Sequence, residues 1–401
     1  MKKYYLFILL FVLLLFSENA WELKLFDETT INEQILVKIV AFFCLAGYLL
    51  YQYKYKNDLS LHFKNIIYLF FVSVFVSKIT YYFILGNFST IDLIKALLWF
   101  SGFLIYFLLI TLLPEKKTQK VIFNLLVYYG LIACLLAIIT VILNTNIFFD
   151  ARFKGNTRFS FVRVNGFAEN AVILSFFYFF NRLVHLKGKL IFSFLFFLIT
   201  FITIFFVFMS RQIIFSTIIT LFVFYLVRRK FLIISIIVST FLFLSLILDV
   251  FFVELLKSLN PSSYSAESST LDIRIQGIIY YFGLFIQSYG LGFGWQSISE
   301  AIPKNDFFYI GTYIYRYLLV DLGIFQTLFQ FGVLGLLSVV LFVHRSIKIN
   351  FFKLNQNDIF SQTILMFIIS RAFALNYFYT WPLFTVFFGI IAYLQEDFSE
   401  T

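Results

Sequence analysis

Residues 190–208 read LIFSFLFFLITFITIFFVF, with only Ser193, Thr200 and Thr203 polar. Coiled as a helix, this run is about 28 Å long at roughly 1.5 Å per residue, close to the ~30 Å hydrocarbon core of a bilayer. A helix also satisfies its own backbone hydrogen bonds, which nothing else can do inside lipid except a closed barrel. An outer-membrane barrel would alternate apolar and polar residues, and neither this run nor Leu6 to Phe16 does so. The rest of the chain has the same character. Of its 401 residues 61% are hydrophobic and 13% charged, and the mean hydropathy is +0.92, more apolar surface than a water-soluble core of this size can hide.

Hydropathy predicts spans near 4–20, 35–53, 65–85, 91–113, 119–143, 166–181, 190–209, 212–227, 231–249, 318–343, 359–376 and 377–394. The start resembles a secretory signal peptide, but Glu18 sits where a cleavage site needs a small residue, so an uncleaved first span is expected. Every second connection is basic: Lys54, Lys56 and Lys64; Lys116, Lys117 and Lys120; Arg182, Lys187 and Lys189; Arg228, Arg229 and Lys230; Arg345, Lys348 and Lys353. The opposite first loop is acidic, with Glu18, Glu22, Asp27, Glu28 and Glu33. This alternation puts both termini on the cytoplasmic side of the membrane.

Three units follow: residues 1–249 with spans one to nine, a large external connection at 250–317, and residues 318–401 with the last three spans and a cytoplasmic tail. The external connection opens with a turn-rich run from Asn260 to Ser269. It continues with an amphipathic segment from Leu271 to Tyr289, expected to be a helix near the membrane surface, and a glycine-rich Gly290-Leu291-Gly292-Phe293-Gly294-Trp295 expected to begin an irregular loop. Cys44 and Cys134 fall inside spans, which speaks against a disulfide framework or a zinc site. His62, His185 and His344 fall in basic connections and read as plain cytoplasmic surface residues.

With this orientation Arg152, Lys154, Arg158, Arg163, Arg211, Arg274 and Arg316 lie on or near the external face, where cations are disfavoured. Arg211 sits in Ser210-Arg211-Gln212 between two apolar spans, and Arg371 lies within a span toward the same face. A charge at that depth needs a ligand or a counter-ion, and the counter-ions available are Asp272, Glu169 and Asp321. A planar guanidinium grips phosphate oxygens through two parallel hydrogen bonds and does not lose its proton, so the cluster suits a pyrophosphate on a membrane lipid. Trp295, Tyr313, Tyr315 and Tyr317 could stack on sugar rings beside it. The external stretches hold no Asp-x-Asp and no histidine cluster, so no metal site is expected.

Four motifs follow one another through residues 160–340: Arg163-Val164-Asn165-Gly166-Phe167-Ala168-Glu169-Asn170; Ser210-Arg211; Asp272-Ile273-Arg274 followed by Gly290-Leu291-Gly292-Phe293-Gly294; and Leu319-Val320-Asp321 through Phe331-Gly332-Val333-Leu334-Gly335. In order and spacing they resemble the O-antigen polymerase and ligase family of bacterial envelope glycan assembly, the Wzy and WaaL type. Ligases of the family carry a histidine just after the external loop; here the stretch reads Tyr315-Arg316-Tyr317-Leu318, which favours the polymerase branch. The departure at Asp321-Leu322-Gly323, where many polymerases follow the aspartate with Asn or Ser, makes Asp321 a weaker match than the arginines.

The resemblance implies an all-α polytopic membrane bundle of about twelve transmembrane helices with one large external loop, GT-C-like, in the bacterial inner membrane. It implies a metal-independent glycosyltransferase without cofactor, whose partners are an undecaprenyl-pyrophosphate-linked oligosaccharide, the bilayer and a chain-length regulator, and not nucleic acid. Arg211, Arg274 and Asp321 would be catalytic, and Arg163, Arg316, Asp272, Trp295 and Tyr313 would bind substrate. Asp321, Asp272 and Glu169 remain alternatives for the base.

Overall fold

The computed structural model describes residues 62–85, 93–94, 97, 100–112, 116–143, 154–158, 161–164, 168–184, 190–208, 211–228, 268–294, 307–310, 313–316, 322–349, 359–374 and 382–396. The expected spans near 4–20, 35–53 and 231–249 lie outside these residues. The described residues are helical except for two short hairpins, the segment 288–294 and a few turn residues at helix ends. In chain order the elements are α1 (Lys64–Leu85), a 3-10 turn (Ser101–Leu104), α2 (Ile105–Leu112), α3 (Lys116–Leu143), β1 (Lys154–Arg158), β2 (Phe161–Val164) and α4 (Glu169–Val184). They continue with α5 (Leu190–Ile202) running into a π-helical stretch (Thr203–Phe208), α6 (Arg211–Arg228) and α7 (Ser268–Gln287). The last are β3 (Phe307–Ile310), β4 (Tyr313–Arg316), α8 (Ile324–Ile347), α9 (Ile359–Ala374) and α10 (Pro382–Leu394).

Among the described residues four helical stretches are long and apolar enough to cross a membrane: Lys64–Phe83, Gln119–Leu143, Leu190–Phe208 and Ile324–Ile347. Their outward surfaces are greasy. Phe83 and Ile191 are each 76% exposed and Ile142 is 74% exposed, a surface that water penalises and hydrocarbon accepts.

Inside the bundle, small residues let backbones approach. Gly130 of α3 lies directly against the Ala171 carbonyl of α4, and the Ser175 hydroxyl donates across the same interface to the Val127 carbonyl (2.7 Å). Helix α4 therefore begins beside the middle of α3. Helices α1 and α8 run antiparallel, with Phe63 on Phe342 (5.1 Å between ring centroids) and Phe70 on Phe331 (5.4 Å). Gly389 of α10 packs on the backbone of the 3-10 turn, and Phe177 of α4 meets Phe367 of α9 at 5.6 Å.

The first hairpin lies between α3 and α4 and the second between α7 and α8. β1 pairs antiparallel with β2, and β3 with β4 in the register Phe307 to Arg316 through Ile310 to Tyr313. Residues 291–294 of the glycine-rich run are irregular as expected, and β3–β4 adds a hairpin further along that the sequence reading did not include. Val164 and Ala168, which lead into α4, are buried at 1% and 0% exposure, so this connection dips into the bundle instead of skirting it.

One end of the bundle is tied by a polar knot. The Glu396 carboxylate accepts hydrogen bonds from the backbone N–H groups of His62 (2.8 Å) and Phe63 (3.2 Å) and from the Tyr106 hydroxyl (2.5 Å). Gln119 donates to the Tyr393 carbonyl at 2.8 Å, Ser346 to the Gln395 side chain at 2.9 Å, and Arg345 Nη2 to His62 Nδ1 at 2.7 Å. The starts of α1 and α3 and the ends of α8 and α10 thus meet. These are connections the charge alternation assigned to one side. His62, expected to be a plain surface residue, is a structural member of the knot. A carboxylate satisfying the orphan N–H groups ahead of α1 is a favourable partner for the positive end of its dipole.

Candidate functional site

Helix α7, which carries Asp272 and Arg274, matches the amphipathic segment read from sequence. It ends at Gln287, and the hydroxyl of the next residue, Ser288, donates to the Phe285 carbonyl (2.7 Å) and accepts from Gly292 N–H (3.0 Å). The chain then turns through Tyr289 and Gly290, both at positive φ, and runs along α8 with Gly292 and Gly294 also at positive φ. There α8 is broken: Gly332 has φ 67° and ψ −165°, about 12 Å along the axis from Ile324.

The break frees backbone groups that lipid could not solvate, and the glycine segment takes them up. Phe293 N–H donates to the Phe329 carbonyl (3.1 Å), Gly294 N–H to the Gln330 carbonyl (2.7 Å), and Val333 N–H to the Gly290 carbonyl (3.0 Å). Tyr281 of α7 seals this junction by stacking on Phe293 and Phe329, with centroids 5.7 and 6.4 Å apart.

Polar side chains gather at the junction. Lys78 of α1 is 5% exposed, packs along Gly294, and holds Nζ 5.3 Å from the centre of the Tyr81 ring. On α8, Gln326 donates to Gln330 at 3.1 Å, and both are 4% exposed. A buried lysine in an apolar helix is a functional signal by the reasoning that drew attention to Arg371. Sequence reasoning passed over Lys78, although Ser77-Lys78 interrupts an apolar run in plain view.

A second polar locus lies where α4, α6 and α9 meet. Arg371, 2% exposed, binds Glu169 through Nη2 and Oε1 at 2.6 Å. Glu169 opens α4 and Arg371 lies in the last turn of α9, so each charge also sits at the favourable end of its own helix dipole. Asn170 is buried beside Glu169 in sequence, and the Ser370 hydroxyl contacts the Phe367 carbonyl at 2.9 Å and, at the edge of hydrogen-bonding range, the Ser216 carbonyl of α6 at 3.4 Å. Among the described side chains, the sequence-read counter-ion found paired is Glu169, and it serves Arg371.

The other residues singled out in the sequence fall around these two loci. Arg211 begins α6, three residues beyond the end of the π-helical stretch at Phe208, a type of irregular turn often tied to function. Arg163 is on β2, Asp272 and Arg274 are on the first turns of α7, and Tyr313 and Arg316 are the end residues of β4. For these six the backbone alone is placed. Trp295 and Asp321 lie outside the described residues. They adjoin Gly294, at the end of the glycine segment, and Leu322, just ahead of α8.

No protein-family model, curated protein or solved structure matches the chain.

Proposed function

We propose that the chain is a polymerase of lipid-linked oligosaccharide repeat units, moving a growing glycan from undecaprenyl pyrophosphate to the sugar of a second lipid-linked unit at the external face of the bacterial inner membrane. The observation that carries this reading is the glycine segment seated in the break of α8. The resemblance lines up the Gly-x-Gly motif and Gly332 only by order, and here the two act together. They join the Asp272–Arg274 helix to a membrane helix at a depth where backbone is tolerated only if it is braced or lines a polar cavity.

In this chemistry the acceptor oxygen bonds to the anomeric carbon of the donor sugar while the sugar–phosphate C–O bond breaks. Undecaprenyl pyrophosphate leaves with the electron pair. Arg211 and Arg274 stabilise the charge that develops on it, and a carboxylate takes the acceptor's proton. Asp321 and Asp272 suit that role better than Glu169, whose carboxylate is already engaged by Arg371.

The test is purified protein in liposomes with one lipid-linked repeat unit as sole substrate and products separated by size. A ladder is expected, lost with Arg211→Ala or Arg274→Ala, poorly restored by Lys, and kept with Arg152→Ala or Arg158→Ala. Material that never grows beyond one unit with an authentic substrate overturns the reading. A lipid-linked oligosaccharide flippase is the second reading, because a broken membrane helix and a buried ion pair also suit a transporter. Loss of a flippase would leave single units closed to an external glycosidase, and loss of the polymerase would leave one-unit glycan at the surface. A ligase, the third possibility, would leave long polymer on the lipid carrier.

A further inference from the structure

The apolar part of helix α7, Gly277–Gln287, is too short to cross a bilayer, and that length marks either a re-entrant or an interfacial segment. Its far end decides between them. The break that it reaches lies inside the candidate span Ile324–Ile347, which at 24 residues is about 36 Å long against a hydrocarbon core of ~30 Å. Centred across that core, the span puts Gly332 about 9 Å below the hydrocarbon surface on the side where α8 begins, the external side by the charge alternation. Gly290 is bonded to Val333 at this level, so the last turn of α7 and the glycine segment are there too.

Two further observations say what surrounds them. None of residues 275–299 is charged, although Asp272 and Arg274 stand just ahead of them. Each backbone N–H from Ser288 to Gly294 also finds an acceptor within the protein: Ser288 on Leu284, Tyr289 on Ile286, Gly290 on Phe285, Leu291 on the Ser288 carbonyl, Gly292 on the Ser288 hydroxyl, and Phe293 and Gly294 on α8. A turn in water has no need of that, whereas irregular backbone at hydrocarbon depth does. Meanwhile Ile279, Phe282 and Ile286 make an outward stripe at i, i+3 and i+7, and they are 67%, 48% and 60% exposed. Gln287, exposed too, lies about 100° round the helix from Ile286 and borders the stripe.

We infer that α7 enters the external leaflet as a re-entrant half-helix, and that the stripe Ile279, Phe282 and Ile286 is a docking surface for the acyl chains of the bilayer. At the tip the stripe meets the lipid-facing side of α8, because Val333, exposed as well, lies beside Gly290. Amphipathicity alone predicts a helix lying on the membrane; the seat in the break of α8 draws its end into it. Arg274 stands 12 residues before Ile286, about 18 Å back along the axis, so an inserted α7 holds its first turns at the level of the lipid phosphates. A pyrophosphate carried by a membrane lipid lies at that level. This last consequence rests on the glycan-transfer reading, and the insertion of α7 does not.

The test is spin labelling of full-length protein in lipid nanodiscs, after replacement of Cys44 and Cys134, with single nitroxides attached through Ile279→Cys, Phe282→Cys or Ile286→Cys. Collisions of the label with oxygen, which concentrates in hydrocarbon, are compared with collisions with a water-soluble nickel chelate. All three labels should favour oxygen. Immersion depth should increase from 279 to 286 by up to about 10 Å, the rise of seven helical residues, toward the value for an Ile132→Cys label midway along Gln119–Leu143. Equal depth at 279 and 286 overturns the inference in favour of a helix lying flat at the interface. Preference for the chelate overturns it in favour of water, and shielding from both reagents in favour of a cover from elsewhere in the chain. If one cysteine variant does not fold, the remaining pair is held to the same criterion. The depth gradient in a protein that makes no product ladder from an authentic substrate would sustain the insertion and remove the polymerase reading.

Discussion

Gly292 and Gly332 meet backbone to backbone: a Cβ on the first would strike the Gln330 carbonyl and the Gly332 nitrogen, and a Cβ on the second would strike the Leu291 carbonyl. Both also have positive φ, 84° and 67°. Alanine at either position therefore adds a clash to a strained backbone that costs about 1–3 kcal/mol by itself. We predict that Gly292→Ala and Gly332→Ala each lower the unfolding midpoint in detergent and abolish activity. Gly283 on α7, with nothing around its missing Cβ, is the control, and Gly283→Ala should be neutral or slightly stabilising. A wild-type midpoint for both Gly292→Ala and Gly332→Ala would dissolve the braced-break account.

The Glu169–Arg371 pair makes a different prediction. Removing one partner strips a buried charge of this charge-assisted hydrogen bond, so Glu169→Ala or Arg371→Ala should cost about 3–5 kcal/mol. Exchanging both for apolar residues of similar size, Glu169→Leu with Arg371→Met, should recover much of that loss while activity stays low. A thermodynamic cycle over the four proteins measures the coupling. Additive single effects would mean that the pair is not a unit.

Glu396 predicts a pH dependence. Burial pushes its carboxyl above the usual range, against the opposing pull of Tyr106, His62, Phe63 and the Arg345 charge. A carboxyl whose folded value exceeds its unfolded one adds stability in acid, below the unfolded value, and loses it as pH rises through the folded one. The neutral acceptor in Glu396→Gln should therefore match wild type near pH ~4 and be more stable near pH ~8. A variant less stable than wild type at the higher pH would show that the charged form carries the knot.

Topology is checked by labelling, after replacement of Cys44 and Cys134. Single cysteines at Ser263 and Lys304 should react with an impermeant thiol reagent in intact cells or spheroplasts, and one at Lys117 should not. The inverse pattern would reverse the orientation and take the external site with it.

The membrane helices were legible because length and hydropathy carry that signal. Predicted spans 65–85, 119–143 and 190–209 correspond to the candidate spans Lys64–Phe83, Gln119–Leu143 and Leu190–Phe208. The hairpins were not, because in a chain rich in Phe, Tyr and Ile a strand such as Tyr313–Arg316 has the composition of its helical neighbours. Nor could hydropathy see the break at Gly332, since Phe331-Gly332-Val333 sits inside an apolar run and the distortion exists only because the glycine segment arrives to satisfy it. Glu169 and Arg371 were each conspicuous alone, but their pairing joins residues 202 positions apart, which one sequence does not reveal.

The knot at Glu396 has a consequence for how the protein is made. The N–H groups of His62 and Phe63 wait for a carboxylate that lies 334 residues further along the chain from His62. At roughly 5–20 residues per second a ribosome takes on the order of 17 to 67 seconds to cover that distance. Throughout that interval α1 has to be held in the membrane by its apolar surface or by the insertion machinery. A truncation ahead of residue 396 should therefore yield inserted helices that never lock, and quality-control proteases would find the nascent bundle open at that end.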